Sequence, residues 1–150
     1  MDARTLYREA MVRGASPVRL VICLYEQAIE DLRRALVALE KNDIETRTRE
    51  INHALTVIGQ LQGTLDREHG GEVARNLEAF YNLIRAGLME AQIKQSPKIL
   101  QQQISQLTMV YEAWLEVDRI TQGAPTQASG PASAAPLLPS PETPLADWNA

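Results

Sequence analysis

A single cysteine, Cys23, stands among 150 residues, so no internal disulfide can staple this chain. It lies in an apolar run, where a thiol packs as a small hydrophobe, and it lacks the electropositive, half-open setting of a reactive one. Basic clusters are equally scarce. The net charge is -4, and Arg33-Arg34 and the Arg47/Arg49 pair are interleaved with acids. Counterion release from a phosphate backbone needs clustered cations, so nucleic acid is excluded as a partner and these arginines read as a solvated helix face. No run approaches the roughly 18 apolar residues of a membrane span. Asp2, Arg4, Arg8 and Glu9 interrupt any signal-peptide core. A cytoplasmic protein without membrane insertion is expected. Period-2 alternation is rare, which leaves a sheet without support.

What is present is helical periodicity. Ser16-Pro17 offers a hydroxyl N-cap with proline at the first helical position, and a long helix is expected from there to about Lys41. Asn42-Asp43 breaks it, and Asp43 can cap a second helix carrying Ile44, Ile51, Ala54, Leu55, Ile58, Leu61 and Leu65, ending near Asp66. A third follows Gly70-Gly71 with Val73, Leu77, Phe80, Tyr81, Ile84, Leu88 and Ala91. Ser96-Pro97 repeats the serine–proline start and opens a fourth, which fades near Ile120. Short connections force neighbouring helices antiparallel. The expected fold is all-α: an up-down-up-down four-helix bundle over residues 16–120, with a short helical leader at 1–15. Six of the eight prolines fall at positions 125–144, and no Lys or Arg follows Arg119. Residues 121–150 cannot bury enough apolar area to offset their ordering entropy, so a disordered tail is expected there.

The first helix is greasier than one packed face requires. Val18, Val21, Tyr25, Ala28, Ile29, Leu32, Ala35, Leu36 and Leu39 make its main stripe. Leu20 and Leu24 lie on a second side, which another part of the chain or a partner must cover. Gly59 and Gly63, one turn apart on the second helix beside Thr56 and Val57, suggest close approach by another backbone, either a bundle neighbour or a partner. Leu83, Met89, Ile93, Met109, Val110 and Val117 lie partly off the main stripes of the third and fourth helices. Methionines suit a surface that accepts varied apolar partners.

Chemistry finds little foothold. A di-iron bundle needs two Glu-x-x-His pairs with further glutamates, and only Glu50/His53 has that spacing. Neither a metal nor any other cofactor is expected. A histidine phosphotransfer bundle would centre on His53, but no lysine follows it and Val57 stands where a small residue is wanted. No nucleophile elbow or phosphate loop occurs. The expectation is a binding protein and not an enzyme, with a signalling bundle at His53 or a purely structural adaptor as the rival readings.

An ordered series of residues resembles the flagellin export chaperones of the FliS type over roughly residues 7–117. It comprises Tyr7, Ala15-Ser16-Pro17, Leu24-Tyr25 with Ala28-Ile29, Asn42-Asp43, Ala54 with Ile58 and Leu61, and Leu65-Asp66. The most specific piece, Gly70-Gly71-Glu72-Val73-Ala74-Arg75-Asn76-Leu77 with Tyr81, comes next. Glu90-Ala91 and Ala113-Trp114 complete the series. Gly14 and Arg85-Ala86-Gly87-Leu88 depart from the family pattern. The resemblance implies a cytoplasmic bundle that binds the C-terminal segment of flagellin, prevents its premature polymerisation and delivers it to the export gate of the flagellar type III apparatus. It also implies a leader, marked by Tyr7, that covers part of the client site. The candidate partner-contacting residues are Tyr7, Met11, Leu20, Leu24, Tyr25, Val57, Gly59, Gly63 and Leu83. Exposed apolar surface also makes weak homodimerisation an expectation.

Overall fold

The two serine–proline pairs start two helices. Ser16 Oγ accepts from Arg19 N at 3.2 Å and Ser96 Oγ from Ile99 N at 3.1 Å, each satisfying a first-turn N–H that has no partner within its helix. The computed structural model describes residues 16–123. Among them are α1 (Pro17–Glu40), α2 (Ile44–Gly63), α3 (Gly71–Lys94) and α4 (Pro97–Gly123), and no strand. The expected leader, with Tyr7 and Met11, and all but the first residues of the expected tail lie outside the described residues.

Turn chemistry sets the connections. Lys41 N closes α1, Asn42 takes a left-handed conformation (φ 59°), and Asp43 then caps α2 through Thr46 N at 3.1 Å. Asparagine tolerates that conformation better than most residues. α2 stops at Gly63, earlier than the hydrophobic pattern suggested. Asp66 lies beyond it and organises the next turn, its Oδ1 accepting from Glu68 N and His69 N. A β-carbon on Gly70 would fall 2.4 Å from the Asp66 carbonyl, and Gly71 follows at φ +58°, so this turn requires its glycine pair. At the far end α4 runs through Gly123, three residues beyond the expected limit of the bundle.

Each helix packs against its two neighbours in a closed antiparallel ring, α1–α2–α3–α4 and back to α1, with α1 and α2 in the most extensive contact. The core is aliphatic, with Leu24, Leu32, Ile51, Ile58, Leu61, Ile84, Leu88, Leu100 and Leu107 fully buried, and one aromatic group at its centre. Tyr25 donates to Tyr81 across the ring at 2.9 Å, and Phe80 packs on Tyr81 with centroids 5.7 Å apart. The shared hydrogen bond relieves two hydroxyls that would otherwise be stranded in the core.

Desolvation holds the Tyr25 and Tyr81 hydroxyls well above the ordinary tyrosine value. Tyr111, on the α1–α4 seam, is pushed up to about 12 by its 2.6 Å hydrogen bond to Glu26, with smaller contributions from burial and the Glu26 charge. All three favour the protonated form in the folded chain, whereas an unfolded tyrosine ionises near ~10. The folded state therefore binds more protons above about pH 10, and stability declines as pH rises through that region toward the folded pKa values. Absorbance titration at 295 nm should show these tyrosines still protonated at about pH 11, and Glu26→Gln should return Tyr111 toward the ordinary value. Leu24→Asp places a carboxylate in the core, so it should cost about 4 kcal/mol or more in urea unfolding.

Candidate partner-binding surface

At about 100° per residue, the buried positions of α1, from Leu20 and Ala38 round to Ile22, sweep more than half its circumference. Polar contacts show which neighbour takes which side. Gln27, Asp31 and Arg34 lie on the side that meets α2, and Leu20 and Leu24 share it by helical phase. Glu26 and Arg19 lie on the side that meets α4, where Arg19 pairs with Asp118 at 3.2 Å. The second apolar side of α1 is thus covered inside the chain.

Asp31 is the buried hub of the α1–α2 contact, 1% exposed. Its Oδ1 accepts from Gln27 Nε2 at 2.9 Å and Arg34 Nη2 at 2.7 Å, and its Oδ2 lies 2.5 Å from His53 Nδ1. Arg34 continues to Glu50 at 2.6 Å. Glu50 and His53, the pair whose spacing raised a metal site, therefore turn to partners on α1. No group of histidine, cysteine and acidic side chains suited to a metal occurs among the described residues. The hub role of Asp31 was legible only as an acid between the core positions Ala28 and Leu32.

The rim of the α2–α3 seam is polar. Gln62 donates to Asn82 at 2.8 Å, Arg67 meets Glu78 at 2.7 Å, and Arg85 Nη1 reaches the Leu55 carbonyl at 3.1 Å. Arg85 passes over Gly59, where a β-carbon would touch its Nη1 at 3.5 Å. That is an ordinary contact, so nothing in the bundle requires glycine at 59, and Gly63 has nothing within 4 Å of an added β-carbon. The tightest approach to a helical glycine inside the bundle is at Gly87, where a β-carbon would fall 2.3–2.5 Å from the side-chain amide of buried Gln103 on α4, which would have to shift. The sequence signal was a glutamine in the core register between Leu100 and Leu107.

The candidate residues separate accordingly. Leu24, Tyr25 and Val57 belong to the core, and Leu20 is buried beside them. Gly63 and Leu83 face outward, Gly59 is half-buried, and Tyr7 and Met11 lie outside the described residues. The large apolar side chains left exposed concentrate on α3 (Leu83, Met89, Ile93) and α4 (Met109, Leu115, Ile120), with Val37 and Ile44 at the end of the bundle that holds the α1–α2 turn.

The family model described as flagellar protein FliS matches residues 1–121, all but the last two residues of the described helices. The chain belongs to the FliS family. It is 35% identical over 106 residues to the flagellar secretion chaperone FliSB of Pseudomonas aeruginosa, spanning 71% of this chain and 84% of that protein. It is 30% identical to the flagellar secretion chaperone FliS of Salmonella typhimurium (73% and 82% covered) and 33% identical to that of Campylobacter jejuni (77% and 90%). The family is one of flagellar secretion chaperones, which is not an enzyme class. None of the described helices is long and apolar enough to cross a membrane.

In this FliS-family bundle the Asp31 hub should outweigh the surface ion pairs. Asp31→Ala strips three donors of a buried acceptor and should cost about 2 kcal/mol in urea unfolding. Glu30→Ala removes only an exposed contact to Arg34 and should change stability by less than about 0.5 kcal/mol.

Proposed function

We propose that this chain is a cytoplasmic export chaperone that holds the C-terminal segment of flagellin, prevents its premature polymerisation and presents it to the export gate of the flagellar type III apparatus. The observation that carries this reading is the set of large apolar residues left exposed on α3, Leu83, Met89 and Ile93, and on α4, Met109 and Ile120. Large apolar side chains left exposed in number on a bundle point to an interaction surface. Membership of a family of flagellar secretion chaperones supports a client among the flagellar export substrates. A flagellin segment that is unstructured alone can lay an amphipathic helical face on this surface, the helix-in-groove mode. Ordering the client costs several kcal/mol, and burial over a large area offsets it. Residues 1–15, with Tyr7 and Met11, act on this proposal as a cover that competes for the same surface until the client arrives. Cover removal should raise the apparent client affinity by freeing the competent state.

The decisive experiment is calorimetric titration of the purified chain with flagellin and with flagellin lacking its C-terminal segment. Full-length flagellin should bind, and the truncated form should lose at least about tenfold in affinity, ~1.4 kcal/mol. Equal binding of both forms, or of neither, would overturn the proposal.

A further inference from the structure

Arg47 carries a positive charge on a side chain that the bundle buries. It is 5% exposed, yet no carboxylate pairs with it among the described residues. The more exposed Arg19, Arg34, Arg67 and Arg119 each meet an acid. Buried cations ordinarily require a counter-charge. The Arg47 Nε donates to Gln92 Oε1 at 3.2 Å, and Gln92 Nε2 donates on to Thr48 Oγ1 at 2.8 Å. The two terminal nitrogens have no hydrogen-bond partner among the described residues, and neither is sealed from the surface.

Exposed apolar residues neighbour these bonds along both helices. Ile44 lies one turn before Arg47 and Thr48 on α2, and Gln92 sits between Met89 and Ile93 on α3. These three apolar side chains are 59%, 57% and 79% exposed. The Arg47–Gln92–Thr48 bonds fasten the two helix segments together, so the cation and its greasy rim occupy one end of the α2–α3 seam.

We propose that this end of the seam anchors the client by a glutamate or aspartate side chain, carried on a helix that presents apolar residues one turn away. The inference rests on the flagellin reading and specifies how the client would be recognised. A carboxylate can meet the two free guanidinium nitrogens as a two-point pair. Ile44, Met89 and Ile93 then close over it and exclude water, which strengthens the pair. An apolar helix without the acid leaves the buried cation uncompensated and is rejected, so the site supplies specificity as well as grip.

The test is calorimetry of the full chain with the flagellin C-terminal segment at low and high salt. The parent should bind more weakly as salt rises. Arg47→Met keeps the aliphatic stem and removes the charge; it should weaken binding by about tenfold or more and flatten the salt dependence, while Arg47→Lys retains part of both. Ile93→Ser, at an exposed position that folding does not depend on, should weaken binding by about threefold or more. Amidating the segment's C-terminus should leave affinity unchanged. A binding parent with Arg47→Met and Ile93→Ser both within about twofold of it would overturn the anchor alone, and Ile93→Ser decides should Arg47→Met lose its fold. A loss on amidation as large as that from Arg47→Met would overturn the side-chain assignment. A parent that does not bind would overturn the flagellin reading and the anchor with it.

Discussion

The burial of α1 from three directions is the constraint on which the rest of the bundle depends. Its apolar arc faces the core, α2 on one flank and α4 on the other, so two of the four seams are built on one helix. Those seams take up the leucines, isoleucines and valines of α1 almost entirely. Val37, near its C-terminal end, is the exception. The α1–α2 seam is further tied by the Asp31 hub, a buried acid whose acceptor capacity is filled from both helices.

α3 stands opposite, and its situation is the reverse. It meets α2 through a polar rim and α4 at a place where a glycine makes room for a glutamine. Its inward stripe is spent on the core, and Leu83, Met89 and Ile93 remain outside. Part of the surplus apolar surface thus arises on the helix that the bundle grips least. Under the proposed function, a client surface on this side is one whose coverage the fold does not require, so α1 would stay sealed while it is occupied.

Much of the architecture was legible from residues alone. Both serine–proline starts, the Asn42-Asp43 break and the Gly70-Gly71 turn stand where they were expected, because caps and left-handed positions are local chemistry. The end of α2 was misplaced, since Leu65 continues the hydrophobic period past the residue at which Asp66 turns the chain. The surface was less legible. Leu20 and Leu24 drew notice as excess apolar residues, and they are excess for a helix with one neighbour but not for a helix with two. Gly59 and Gly63 looked alike in the sequence, yet Arg85 lies over the first and nothing lies over the second. Arg47 passed as a solvated arginine and is buried.

The sequence by itself determined the number of helices, their order and the residues that begin them, because periodicity and capping act within a few positions along the chain. Which apolar residues face inward beyond the main stripe, which acid holds His53 and which buried arginine meets no carboxylate among the described residues were decided by tertiary structure. Those properties depend on how many neighbours each helix acquires and at what rotation. Such quantities are set by packing between segments tens of residues apart, and no local pattern contains them.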